Sequence, residues 1–488
     1  MLRLFSTLVL VTSLSLASQA SAQQPDANET IVTLKRDIPI LMQQADIPGL
    51  SIALVNHGHT AWVGSFGTVD PATLQPVTDQ TLFCAASLSK TVFAYAVLQL
   101  VDQGKLDLDT PLTHYWPERV VDPQDDLRLD KITARIVLSH RTGFPNWRQG
   151  NGLRIFFDPG SRFSYSGEGF VYLQHTVEHI EGKPLNQIVQ QLVFAPLGMT
   201  RSTYISQAGP GITLGYTPAL EPRNPIKALD GNAASSLLTN AHDYSLFLEA
   251  ILSGRRLKPA TLRQMETPQI AVDPTCTNCT NHAPQRLSTD LFWGLGWGIE
   301  QTSTEKYLWH WGDNGAFKAF VLIDLRRHNA VVFFANGENG LSIAPAIVHE
   351  AIGGDHPAFG WIKYDPYDSV SMRFIHDSIH KGAETLTTYA QQLNDGTISK
   401  ETLNSAGYFL SQQKKYDDAI AIFNRTLQLH PDSFYAYNNL GDTYASMGNT
   451  ILAVKNYQKA LELDPTQEDT KAALAKIQSS SPQKEAAH

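Results

Sequence analysis

Ser87 and Lys90 stand three residues apart at the mouth of an otherwise apolar stretch, "FCAASLSKTVFAYAVLQL", residues 83–100. On a helix, residues three apart share a face while adjacent ones diverge, so the Lys90 amine reaches the Ser87 hydroxyl but not that of Ser89. A serine is a weak nucleophile until a nearby base takes its proton, and a lysine with a lowered pKa is such a base near neutral pH. The expected helix N-terminus supplies the lowering, because its free N–H groups and dipole disfavour a charged amine. Ser87 is therefore the nucleophile candidate, Lys90 its activator, and Ser89 a capping or packing residue. The S-x-x-K pattern also starts at Ser303, Ser378, Ser411 and Ser481, so spacing alone decides little. Position and company single out Ser87. It heads an apolar helix, and two later segments offer partners: Tyr165-Ser166-Gly167 in "FDPGSRFSYSGEGF" and His310-Trp311-Gly312 in "LWHWGDNGAF".

In this order the three elements resemble the motifs of the serine β-lactamase and penicillin-binding family, especially class C β-lactamases, D-Ala-D-Ala carboxypeptidases and related esterases. "LSHRTGFPNW" (138–147), "APLGMTRSTY" (195–204) and "AASSLLTNAHDY" (233–244) are similar to its connecting segments, and the resemblance covers roughly residues 35–350. It implies that Ser87 is acylated, that Lys90 deprotonates it or relays its proton, and that Tyr165 exchanges a proton with the leaving group and then with water. It also implies an oxyanion hole made by the N–H groups of Ser87 and Asp313. Whether Lys90 or Tyr165 is the base stays open. A tyrosine serves only if cations depress its pKa, as Lys90 and a protonated His310 could.

Two positions depart from the family pattern. Gly167 stands where an Asn is frequent, which removes an amide contact to substrate. His310 stands where β-lactamases usually have Lys, so the charge that would hold a substrate carboxylate becomes pH-dependent. Some D-Ala-D-Ala peptidases carry His there. Together these point to an ester, amide or D-amino-acid peptide substrate. A genuine β-lactamase or D-Ala-D-Ala carboxypeptidase is the alternative. A non-catalytic, ligand-sensing penicillin-binding module is the alternative of another class, and retention of Ser87, Lys90 and Tyr165 together argues against it.

The elements that position these residues can be read around them. Residues 27–45 are patterned as a helix, and "LSIALVNHG" and "TAWVGSFG" as a hairpin turning at His57-Gly58-His59. The helix opened near Ser87 stops at Gly104. From residue 291 strand patterns return in "FWGLGWGIEQ", "EKYLWHWG", "AFKAFVLIDL" and "NAVVFFANG". Strands at both ends with helices between predict an α+β fold: one antiparallel sheet flanked by helices, with an inserted helical subdomain. After about residue 366 the pattern is helical, and aligning Pro431 with Pro465 exposes a 34-residue repeat. Gly407/Gly441, Leu410/Tyr444, Ala419/Ala453 and Phe423/Tyr457 fall into register, which resembles the tetratricopeptide repeat. The predicted organisation is a hydrolase domain over 23–365, connecting helices over 366–399 and repeats over 400–433 and 434–467. A capping helix to about 478 and a disordered tail over 479–488 follow. A helix near 370–394 and the capping helix are expected to complete the stack.

Bulk properties narrow the class. With 488 residues, 42% hydrophobic and 17% charged, the chain has the makings of two or three soluble units. Arg3, the apolar run Leu4 to Leu16 and Ala20-Ser21-Ala22 form a secretory signal peptide over 1–22. The protein is therefore expected in the periplasm or secreted, with no stable membrane span after cleavage. Losing Arg3 takes the formal charge from −9 to −10, and an acidic chain with no basic cluster argues against nucleic-acid binding. An exported protein can form a local Cys276–Cys279 bridge. With His282 these cysteines give a C-x2-C-x2-H string, one ligand short of a structural zinc site. No metal or cofactor is expected. The partners are a small-molecule or peptide substrate and a protein bound by the repeats.

Overall fold

The computed structural model describes residues 26–150, 152–281 and 283–480. The signal peptide expected over 1–22, His282 and residues 481–488 of the tail lie outside them. A nine-stranded antiparallel sheet organises residues 49–335. Its strands are β1 (Gly49–Asn56), β2 (His59–Asp70), β3 (Gln75–Pro76), β4 (Ile270–Ala271), β5 (Leu291–Trp293), β6 (Gly298–Gln301), β7 (Lys306–Asp313), β8 (Lys318–Asp324) and β9 (Asn329–Ala335). Their order is β3-β2-β1-β9-β8-β7-β6-β5-β4, so the early hairpin pairs with the last strand, Leu50 opposite Ala335. His57 and Gly58 make the hairpin turn, both with positive φ, 51° and 81°.

Helices cover both faces of this sheet. Helix α1 (Ala27–Gln44), with the helices Ala344–Ala351 and Pro357–Ile362, buries one face. Helices α2 (Ser89–Asp102), α3 (Gly167–Glu181) and α4 (Ala241–Leu252) bury the other. Strands β8 and β9 are consequently buried at every position, which is why they read as continuous apolar runs rather than as alternation. Helix α2 is buried on all sides from Ser89 to Leu100, and its chain leaves through Gly104 at φ 73°.

The C-terminal helices pair as the repeat predicts: Lys400–Gln412 with Tyr416–Leu429, Phe434–Ser446 with Thr450–Leu463, then the capping helix Glu468–Ser480. Gly407 and Gly441 are required by packing, since a Cβ on them would lie 2.5 and 2.6 Å from the rings of Phe423 and Tyr457. One expectation fails here. Residues 370–394 do not form a single helix: α5 (Val370–Lys381) ends at Gly382, and short turns of helix follow. Gly382 has φ 71° and abuts the Asp418 carboxylate, which accepts a hydrogen bond from the Ala383 N–H at 2.9 Å. Helix α5 also touches the sheet domain, where Ala219, Ile379 and Phe409 form a small apolar cluster.

Candidate active site

A short turn of 3-10 helix, Ala86–Leu88, leads into α2 and carries Ser87. Ala86 has φ 47°, an unfavourable region for alanine, so the turn must be held from outside. Residues 233–239 hold it. The Ala85 N–H donates to Leu237 O at 2.8 Å, and the Leu237 N–H donates to Ser89 Oγ at 2.9 Å. Ser89 Oγ in turn donates to Ala86 O at 2.5 Å, so Ser89 is a packing residue tied into the turn.

Lys90 lies fully buried beneath the turn, its Nζ 3.1 Å from Ser87 Oγ and donating to Ala234 O at 2.8 Å. Burial pushes its pKa well below the ordinary lysine value. Desolvation is a cause that the sequence alone did not reveal. The Tyr165 ring lies 4.8 Å from Lys90 Nζ. Its hydroxyl is buried, with the Ser87 hydroxyl as a weak partner. Burial raises the phenol pKa above its usual value, and the Ser87 hydroxyl only partly offsets this.

Strand β7 brings His310, Gly312 and Asp313 to the same place. A Cβ on Gly312 would lie 2.5 Å from Ala85 O, so only glycine lets the strand approach the Ser87 turn this closely. His310 is fully buried and its Nδ1 lies 2.7 Å from Trp311 O, which makes Nδ1 the protonated nitrogen. Burial, then the Lys90 charge, push its pKa down to about 3. A neutral imidazole offers no positive charge to a substrate carboxylate or to the Tyr165 phenol near neutral pH, the role the sequence suggested for a protonated His310.

Ser87, Tyr165 and Asp313 line a cleft of about 270 Å³ together with Asn146, Thr277, Asn278, Trp311, Ile362 and Tyr364. None of these is a cationic side chain. Lys318 stands nearby but is paired with Asp313 Oδ1 at 2.5 Å, and Asp313 Oδ2 accepts from the Tyr364 hydroxyl. At Gly167 a Cβ would lie 2.7 Å from the Trp147 ring, so Trp147 takes the space an Asn side chain would need. Asn146 reaches the cleft instead, its Oδ1 accepting the Gly167 N–H at 3.0 Å.

Several of these residues escaped sequence reasoning. Cys276 and Cys279 are bridged, and the loop they close supplies Thr277 and Asn278, with Thr277 O accepting the Tyr165 N–H at 2.9 Å. The cysteines were legible, but not what they frame. Tyr364 belongs to the segment leading into the repeats, where no motif marks it. His140, within "LSHRTGFPNW", accepts the Ser166 N–H on Nδ1 at 3.0 Å, and its ring lies 4.3 Å from that of Tyr165. Burial holds its pKa well below the usual histidine value, so it supports Tyr165 as a neutral ring.

Similarity to known proteins agrees with this geometry. A family model described as Beta-lactamase matches residues 34–349, and one described as Tetratricopeptide repeat matches residues 400–466. The chain is 28% identical over 269 residues to a β-lactamase of Pseudomonas fluorescens, covering 53% of this chain and 71% of that one. It is 28% identical over 222 residues to the esterase EstB of Burkholderia gladioli, covering 39% of this chain and 55% of that one. Two solved structures share the fold, each 20% identical with a TM-score of 0.55 over 67% of this chain. They are the octameric penicillin-binding protein homologue of Pyrococcus abyssi, 78% of which is covered, and the D-alanine carboxypeptidase AmpC of Burkholderia cenocepacia, 99% of which is covered. By its matched residues and its fold, the chain belongs to the β-lactamase family of serine hydrolases, extended at its C-terminal side by tetratricopeptide repeats.

Proposed function

We propose that the protein is an exported serine hydrolase that forms an acyl-enzyme on Ser87 and acts on neutral, short-chain ester or amide substrates. The carrying observation is the fully buried Lys90 amine 3.1 Å from the Oγ of Ser87, which lines the cleft. Neutral Lys90 takes the Ser87 proton as the hydroxyl attacks the carbonyl carbon. Tyr165, kept as a phenol by burial, relays that proton from Lys90 to the leaving group; on deacylation the attacking water returns a proton through Tyr165 to Lys90, which reprotonates Ser87 Oγ as the acyl group leaves. The N–H groups of Ser87 and Asp313 take the developing negative charge on the carbonyl oxygen. Residue spacing alone leaves the base undecided; the opposite effects of burial on an amine and a phenol favour Lys90.

Cleft size and charge support the substrate class. About 270 Å³ is below the usual range for a drug-sized ligand, roughly 300–1,000 Å³. Among the described residues no free cation lines the cleft, so a substrate carboxylate finds no charged partner there. β-Lactams and peptides ending in D-Ala-D-Ala carry that carboxylate; simple esters do not. Export rests on the signal-peptide pattern of residues 1–22, and binding of a protein partner rests on the repeats. The test is a panel of p-nitrophenyl esters, nitrocefin and D-Ala-D-Ala peptides. Short esters are expected to exceed nitrocefin in kcat/KM by more than about tenfold, or about 1.4 kcal/mol of barrier. Comparable efficiency on nitrocefin would return the protein to the β-lactamases.

A further inference from the structure

We propose that Asp46, His376 and His380 form a binding site for a divalent transition-metal ion such as Zn²⁺, placed where the connecting helix meets the sheet domain. Asp46 follows the end of α1, and His376 and His380 stand one turn apart on α5. Both imidazoles converge on the one carboxylate: His376 Nδ1 lies 3.0 Å from Oδ2, and His380 Nε2 lies 2.7 Å from Oδ1. The three donor atoms all lie within 4.8 Å of one another. Ligand atoms bound to one zinc at about 2.0–2.1 Å are roughly 3 Å apart, so a small inward adjustment seats an ion among them.

Three further observations fit a metal better than a simple ion pair. One carboxylate needs only one cation, yet two imidazoles are held against it with ring centroids 4.5 Å apart. Asp46 adopts φ 53°, a conformation that Asp tolerates better than most residues, and its side chain is only 8% exposed. The neighbouring charges are otherwise engaged, since Asp377 pairs with Lys381 at 2.8 Å and accepts from the Tyr389 hydroxyl at 2.7 Å. His380 is about half exposed, which leaves a path for the ion and room for a water as fourth ligand. Two imidazoles and a carboxylate suit zinc, and binding displaces any proton held on the histidines. None of the three residues lines the catalytic cleft.

The test uses the tag-free full chain, stripped with EDTA and titrated with ZnCl2 by calorimetry, with Co²⁺ absorption as a geometric probe. About one equivalent of zinc should bind and raise Tm. Affinity should fall at least about tenfold in both Asp46→Asn and His380→Gln, with metal-free ester hydrolysis unchanged. Asparagine keeps the backbone conformation, and glutamine keeps a donor toward Asp46, so metal-free melting curves close to the parent's show that both variants fold. Absence of zinc binding would overturn the proposal, as would binding equally tight in both variants. A Tm that follows pH but ignores zinc would also overturn it, showing a proton-linked clasp instead.

Discussion

Lys90 is fully buried and has no carboxylate among its described partners, so the property that makes it a base also weighs on folding. Its pKa is depressed in the fold, so between that value and the ordinary lysine value the unfolded chain holds the proton and the folded chain does not. Stability therefore rises with pH across that window. Lys90→Met should raise stability at neutral pH by about 0.5–2 kcal/mol while abolishing hydrolysis, measured by denaturant melts and ester turnover. A variant that is inactive but also less stable would mean that the amine is not strained by burial. In the parent enzyme kcat/KM should climb with pH on the acid side as Lys90 loses its proton, and Tyr165 should add no alkaline limb below its raised pKa. His310 behaves differently. With its pKa near 3 it stays neutral from pH 5 to 8, so the preference for neutral over carboxylated esters should not vary with pH in that range through this residue. Below about 6.5, unfolded His310 and His140 take up protons that the folded state refuses, costing up to about 1.4 kcal/mol per pH unit for each.

Two elements fix the geometry that these residues need. Strand β7 presses on the Ser87 turn only because residue 312 is glycine, so Gly312→Ala should lower kcat by about 100-fold or more with a smaller change in KM. Steady-state kinetics on a short ester checks this, and an unchanged kcat would mean that the strand and the turn are not in register for catalysis. The loop closed by Cys276 and Cys279 holds Tyr165 through Thr277 O. The double serine variant should lose about tenfold in kcat/KM, more than its loss in Tm would explain. Spacing and periodicity made the sheet, α2 and the Ser87–Lys90 pair legible, because both rest on local chemistry and regular patterns. They did not reveal Asn146, Thr277 or Tyr364, which enter the cleft from three irregular segments brought together only by tertiary packing. The burial of His310 was hidden for the same reason, although its position was readable.

For the whole molecule, the question is how far the repeats and the hydrolase depend on each other. The described contacts between them are few: the cluster of Ala219, Ile379 and Phe409, the Asp46 histidine pair, and a Thr217–Gln412 hydrogen bond at 3.3 Å. By contrast Trp361 is buried against the sheet, and Ile362 and Tyr364 line the cleft. A chain ending after Asp368 should therefore fold and keep ester kcat/KM within about threefold, with Tm lowered by less than about 5 °C. One ending after Gly360 should lose both fold and activity. If the longer truncation aggregates, the repeats serve as a structural support rather than an independent binding unit.

The most direct test is to trap the acyl-enzyme by intact-mass and peptide mass spectrometry, using a fluorophosphonate and a slowly deacylating ester on the parent, Ser87→Ala, Ser89→Ala and Lys90→Arg. Stoichiometric labelling of Ser87 is expected in the parent and in Ser89→Ala. Loss of labelling is expected in Ser87→Ala and Lys90→Arg, since arginine cannot give up its proton to become a base. An adduct on Ser89, or full ester turnover by Ser87→Ala, would contradict the assignment of the nucleophile.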